Sequence, residues 1–208
     1  MDSESSLRER LIDVGVDLVM TEGSASLGLR EIARRAGVSH GAPRRYFPTH
    51  HALLSSIARR GFQELGARFA AAMGETTLPR AQLQAVAWVY VGYALERRGM
   101  FELMFRHDLL DSGQHESEPR LRDSTLPLFE RIVALVARCQ EEQGTAAPPP
   151  AVTAAALWSN LHGIAQLWAW GSLQLVLDTP APGGAPGGDQ LEQVVSAVLN
   201  AHLAPANS

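Results

Sequence analysis

The 208-residue chain has no lysine, one cysteine and no long apolar run. Each absence excludes something. With Cys139 alone no intrachain disulfide can form, and the composition fits a reducing compartment. No stretch approaches the roughly 20 apolar residues that a membrane span requires. The first residues are polar and acidic (Asp2, Glu4, Glu9), without an apolar signal core, so a cytoplasmic location is expected. No alternating strand pattern and no repeat of solenoid period is visible. Nor is there a nucleophile–base–acid set, a metal-ligand spacing or a phosphate-binding glycine loop, which makes an enzyme the remotest functional class. No cofactor and no metal are expected. His50 and His51 are adjacent and do not share a helical face, and His107, Asp108, Asp111 and His115 form only a loose grouping across a loop.

Without lysine, arginine carries all 18 positive charges against 22 acids, a net charge of -4. That balance argues against a generally basic nucleic-acid protein, but the charge is uneven. Residues 29–60 hold seven arginines (30, 34, 35, 44, 45, 59, 60) and one acid, Glu31. A local excess of six suggests one polyanion-facing surface, with an ordinary solvated helix face as the plainer alternative. Arginine's planar fork suits phosphate and guanine.

The same stretch has a pattern. Ile32, Ala33 and Ala36 mark the buried face of a short helix, and Ala33 is small where a second helix must cross. Gly37 can take the left-handed conformation that ends a helix, Val38 plugs the corner, and Ser39 or His40 starts the next helix, about His40 to Tyr46. Pro43 falls in its first turn or just past it. This is the layout of a DNA-binding helix-turn-helix.

Apolar spacing is helical throughout, so an all-α chain of about nine helices is expected. Helix one covers about Ser5 to Glu22, and Thr49 caps a helix over His50 to Met73. Further helices are expected over Pro79 to Arg98, over Met100 to Leu110, and up to about Gln143. Another runs over Ala151 to Leu177, and the last over Asp189 to Leu203. In the helix from Ala151, Leu157, Leu161, Ile164, Trp168 and Leu175 follow steps of three and four with Gly171 in series, the seam of a helix packed along another.

Leu29-Arg-Glu-Ile-Ala, Ala36-Gly-Val-Ser, Tyr46-Phe-Pro-Thr and Ala52-Leu-Leu occur in an order and spacing that resemble the tetracycline-repressor (TetR) family of bacterial transcription regulators. Downstream, Leu157-Trp-Ser-Asn-Leu-His-Gly and Met100-Phe-Glu-Leu-Met-Phe-Arg resemble a C-terminal subgroup with a Trp-x-x-x-His-Gly signature. The chain departs from the family pattern in two places: Arg44 stands where a phosphate-touching tyrosine is common, and His50 where a lysine is common.

The resemblance implies a DNA-binding domain at 1–50 and a helical ligand-binding and dimerisation domain at 51–208. It implies a homodimeric regulator, most simply a repressor, whose two recognition helices meet successive major grooves of a near-palindromic operator on double-stranded DNA. Arg44 and Arg45 are the first candidates for DNA contact, followed by Ser39, His40, Tyr46, Arg30, Ser26 and His50. A ligand cavity among the middle helices is implied, with Trp88, Tyr90, Tyr93, Phe101, Met104, Phe105, Trp158 and His162 as candidate lining. Such a site suits an apolar or planar aromatic effector. His162 also has a plainer role, hydrogen bonding within packed helices, with Gly163 permitting close approach. The dimer seam is expected from Leu157, Leu161, Ile164, Trp168, Leu175, Leu191, Val195 and Val198. A DNA-binding dimer with a protein partner or no effector remains the alternative, which a closed middle core would favour.

Overall fold

The computed structural model describes residues 2–110, 121–144, 148–177 and 187–203. Among them are eleven α-helical segments, one 3-10 turn at Ser24–Ser26 and no strand. The helices are α1 Asp2–Glu22, α2 Leu29–Arg35, α3 Pro43–Tyr46, α4 His50–Gly74, α5 Pro79–Glu96 and α6 Arg98–Met104. They continue with α7 His107–Leu110, α8 Leu121–Gln143, α9 Pro150–Ala169, α10 Ser172–Leu177 and α11 Gly187–Leu203. The all-α class is as expected. The polar loop at 111–119, most of 180–188, and with them Asp111 and His115 of the loose histidine grouping, lie outside the described residues. The chain divides into two compact units, Met1–Glu64 with Arg97–Leu126, and Leu65–Glu96 with Pro127–Ser208.

In the first unit α1 is the central strut, packed against the 3-10 turn, α2, α3 and α6. Its Leu11, Ile12, Leu18 and Val19 are buried on one face, each large apolar side chain removed from water contributing roughly 1.5–3 kcal/mol. At Gly99 the α6 backbone comes so near α1 that a Cβ would lie 2.4 Å from the Val19 carbonyl oxygen. Backbone cannot step aside as a flexible side chain does, so only glycine lets α6 seat there. α4 begins as expected: Thr49 Oγ1 accepts the Ala52 N–H at 3.0 Å and caps the helix.

In the second unit α5 packs on α9 and α11, and α9 on α11. Leu83, Val86, Ala87 and Tyr90 of α5 are buried, as are Thr153, Ala154, Leu157, Leu161, Ile164 and Ala165 of α9. The end of α11 is held by Arg80, whose Nη1 donates to the Leu203 carbonyl at 2.8 Å.

Three boundaries differ from the sequence reading. The expected helix over 151–177 breaks at Trp170–Gly171, because Gly171 adopts φ 77, which no right-handed helix accommodates. The apolar segment at 100–110 divides into α6 and α7 around Phe105 and Arg106. The third helix is a single turn from Pro43, with His40 to Ala42 in a preceding turn.

Candidate nucleic-acid interface and apolar cavity

The corner after α2 is closed by a pair of backbone bonds. Val38 N–H reaches the Ala33 carbonyl at 3.0 Å and Gly37 N–H the Arg34 carbonyl at 3.2 Å, with Gly37 at φ 66. This is the Schellman closure, which uses the carbonyls the helix end leaves unpaired and needs a left-handed residue. Ile32 and Ala33 are fully buried beneath it. The chain turns again through an Ala42 N–H to Ser39 carbonyl bond of 2.9 Å. Pro43 starts α3 with the one residue that needs no N–H partner there. Pro43 and Phe47 point inward and are buried, which leaves Arg44 and Arg45 exposed, with Ser39 and His40 beside them and Tyr46 half-buried.

The cationic excess around this corner is smaller than the composition suggests. Arg34 and Arg35 both bond Glu31, and Arg35 also bonds Glu22. The two guanidiniums hold the Glu31 carboxyl down to about 2, through hydrogen bonds from Arg34 first and Arg35 second. Arg60 bonds Glu9 and Asp13 of α1. Arg30, Arg44 and Arg45 are exposed and form no ion pair with any described residue. Three uncompensated arginines therefore frame the corner and its short helix.

In the second unit a small apolar cavity of about 20 Å³ is lined by Phe69, Leu83, Val86, Ala87, Tyr90, Ile132, Leu157, Trp158 and Leu161. Its polar feature is a hydrogen-bonded chain. Trp158 Nε1–H donates to the Tyr90 hydroxyl oxygen at 2.9 Å, and that oxygen lies 2.8 Å from His162 Nδ1. Burial lowers the imidazole's proton affinity and raises the phenol's pKa, so the hydroxyl donates to a neutral His162.

Comparison with known proteins turns this geometry into a family. A model of bacterial regulatory proteins of the tetR family matches residues 11–57, and a tetracyclin repressor-like C-terminal domain model matches residues 83–183. The chain belongs to the tetR family of transcriptional regulators. The HTH-type transcriptional regulator BetI of Brucella anthropi is 33% identical over 79 residues, 38% of this chain and 41% of that protein. The matched stretch thus spans less than half of that relative. A protein of unknown function from Rhodococcus sp. RHA1 superposes with TM-score 0.75 at 28% identity over 95% of this chain and 93% of its own. RolR in complex with resorcinol superposes with TM-score 0.65 over 96% of this chain and 89% of its own. Its 17% identity speaks for the fold alone.

Against this tetR-family frame, several sequence-derived residues fall elsewhere than expected. His50 is exposed, but its Nε2 donates to the Leu27 carbonyl, pinning the start of α4 to the loop before α2. The Ser26 hydroxyl donates to the Gly23 carbonyl at 2.7 Å. Of the eight expected cavity residues, Tyr90, Trp158 and His162 come together. Phe101 and Phe105 pack at a tilt in the first unit, 4.7 Å between ring centroids and 56° between ring planes, and the nearby Met104 is fully buried there. Tyr93 is fully buried under the Arg68 guanidinium, 5.1 Å from its ring, and Trp88 is half-buried. Neither lines the cavity.

The residues expected in a dimer seam differ in burial. Leu157, Leu161, Ile164 and Val195 are buried within the single chain and leave little surface for a second copy. Trp168, Leu191 and Val198 are half-buried, and Leu175 is 84% exposed. A Cβ on Gly163 would meet nothing within 4 Å, so no close approach occurs there in the single chain.

Beyond Tyr90 and Trp158, sequence reasoning missed the cavity walls. Leu83, Val86 and Ala87 share the α5 face of Tyr90, a readable stripe, but the partner helix across from it was not readable. It also missed Arg8, whose guanidinium lies 5.2 Å over the Phe47 ring, a contact that leaves no local pattern.

The buried imidazole has a measurable consequence. Unfolded, His162 binds its proton near the ordinary value of 6.5; folded, it binds it only at lower pH. Below about pH 6.5 the unfolded state holds more protons, so the stability due to neutral His162 is full above that value and is lost as pH falls. Thermal unfolding between pH 8 and 5 should show a steeper acid loss for the native chain than for His162→Gln, whose amide can still accept from Tyr90. Parallel curves would rule this group out as the source.

Proposed function

We propose that this tetR-family chain binds double-stranded operator DNA as a homodimer and represses transcription until a small apolar or aromatic ligand releases it. The observation that carries the DNA reading is the set of exposed, uncompensated arginines at the Gly37 corner. Arg44 and Arg45 project from α3 toward base edges and phosphates, Arg30 and Tyr46 serve phosphate, and Ser39 and His40 contribute hydroxyl and imidazole contacts. Ser26 and His50 act mainly within the fold. We divide the chain by function at residue 50, and take it to be a cytoplasmic, non-catalytic regulator. No helix among the described residues is long and apolar enough to cross a membrane.

The homodimer is formed through a different face of α9 from the one its apolar seam suggests. Val152, Ala156, Ser159, Gly163, Leu167 and Trp170 recur at steps of three and four. Val152, Leu167 and Trp170 are 56%, 39% and 62% exposed despite being apolar. Small residues in the middle of such a stripe let two helices approach. Trp168, Leu175, Leu191 and Val198 border it. We also place the chain in the Trp-x-x-x-His-Gly subgroup, on the bonding of Trp158 and His162 through Tyr90 inside the stretch that the C-terminal model matches.

Ligand control runs through α4, which is continuous from His50 to Gly74 and supplies Phe69 to the cavity wall. RolR's resorcinol is a small phenol, the size class this cavity would admit after widening. The cavity's small volume favours a second reading, an effector-free dimer, since about 20 Å³ holds little more than one water. The test uses DNA flanking the gene for this chain. Footprinting should protect two half-sites about one helical turn apart, with two chains bound per site. A chain that stays monomeric while saturating that DNA would sink the dimer. Release of DNA by a small aromatic would decide for the first reading over the second.

A further inference from the structure

We infer that the Trp158 indole is a built-in surrogate for the effector, and that the cavity takes a neutral, planar aromatic molecule that donates one hydrogen bond to the Tyr90 hydroxyl. This rests on the cavity being the effector site.

Three observations converge. First, the cavity has no charged side chain in its lining; seven of its nine lining residues are aliphatic or phenylalanine. A charged ligand entering it would lose hydration with no compensating partner, which selects a neutral one. Second, the hydroxyl of Tyr90 is the polar group presented there. It sits on a residue only 5% exposed and is already used to accept an aromatic N–H, that of Trp158. His162 accepts the hydrogen bond of the Tyr90 O–H, which leaves the hydroxyl oxygen as the acceptor for the Trp158 N–H. A ligand with a donor replaces the N–H that Trp158 withdraws, and a ligand without one does not. Third, Trp158 both lines the cavity and is 37% exposed, in a T-shaped contact with Phe129 at 6.3 Å between ring centroids. It is the one side chain in the lining that stands between cavity and solvent while making the hydrogen bond a ligand would make. Swinging it outward opens the cavity by the volume of an indole, and the ligand restores the lost bond. The small volume of the closed state is then what a site filled by its own surrogate looks like.

The test uses the full chain and two isosteric probes: indole, which donates an N–H, and indene, which has the same outline without it. Binding is followed by calorimetry and by thermal shift. Trp158→Ala should bind indole at least tenfold more tightly than the native chain does, since no door need open. It should prefer indole over indene by about tenfold, the order of one buried hydrogen bond. Tyr90→Phe in the same background should bring the two probes to within about twofold while circular dichroism stays unchanged. The native chain should bind indole detectably, with a change in tryptophan emission. Equal binding of indole and indene to Trp158→Ala, a preference that survives Tyr90→Phe, or no indole binding by the native chain up to its solubility limit would each overturn the inference. The broader reading fails separately. If indole binds with the Tyr90-dependent preference but leaves DNA affinity unmoved, the site stands and ligand control falls. If DNA is released by a ligand that ignores Tyr90, ligand control stands and the site falls.

Discussion

Replacing Arg44 and Arg45 together with alanine is expected to lower operator affinity by about 100-fold or more while leaving the fold intact. Both side chains are exposed and, among the described residues, form no ion pair, so their removal breaks nothing inside the protein. Surface changes of that kind alter stability by only about 0.5 kcal/mol. An arginine that reads a guanine through its fork contributes roughly 1–3 kcal/mol of discrimination, and one that neutralises a phosphate lowers the salt slope by about one. The single variants separate the roles. The base-reading arginine loses preference among operator sequences, and the phosphate-binding one weakens all sequences alike and flattens the salt dependence. Arg34→Ala is the control, because its guanidinium is held by Glu31 at 2.6 Å and projects no uncompensated charge. Titrations at several salt concentrations check all four chains. A double variant within about threefold of native affinity, with an unchanged salt slope, would remove α3 as the recognition element.

That prediction rests on a charge pattern the sequence only half displays. Seven arginines against one acid in residues 29–60 is legible in one dimension. What cannot be read there is that Glu9, Asp13 and Glu22, from a different helix, lie across from Arg60 and Arg35. Local features did carry over: the Gly37 corner and the Thr49 cap depend on neighbours within five residues, and the stripe of Ile32 and Ala33 marks the α2 face that packs on α1. The length of α3 did not, because the three residues before Pro43 prefer a turn closed by Ser39 and Ala42 over the helical continuation that apolar spacing allows.

The cavity follows the same logic from the other side. A stripe of apolar residues at helical spacing says that a face is buried, not what buries it. Leu157 and Leu161 satisfy the pattern of a seam between two copies, yet they are enclosed within one chain and line the cavity with Leu83 and Val86. The exposed stripe from Val152 to Trp170 was hidden because its middle residues, Ala156, Ser159 and Gly163, are small or polar and look like a solvated face. Tyr90, Trp158 and His162 were each visible as candidates. Their bonding was not, since 68 and 72 residues separate the partners.

Phe47→Ala should produce the largest loss of stability and should weaken DNA binding without touching a DNA-facing atom. The Phe47 ring is fully buried, and emptying such a site costs about 3–5 kcal/mol. For a chain of this size that lowers Tm by roughly 6–20 °C. The consequence for function follows from the shortness of α3. A one-turn helix has no cooperative stability of its own, so its orientation is set by what anchors it. Those anchors are buried Pro43 at its start and Phe47 at its end, whose N–H bonds the Pro43 carbonyl at 2.8 Å. Without the ring, Arg44 and Arg45 keep their charge but lose a fixed direction, so affinity falls well below the melting transition and sequence preference falls with it. Arg8→Ala tests the competing idea that the cation over the ring is the anchor; it should cost only about 0.5–1 kcal/mol. Phe47→Leu, which refills most of the space, should recover much of both stability and affinity. If Phe47→Ala melts within about 2 °C of the native chain, or Arg8→Ala proves the more damaging, the ring does not hold α3 in place.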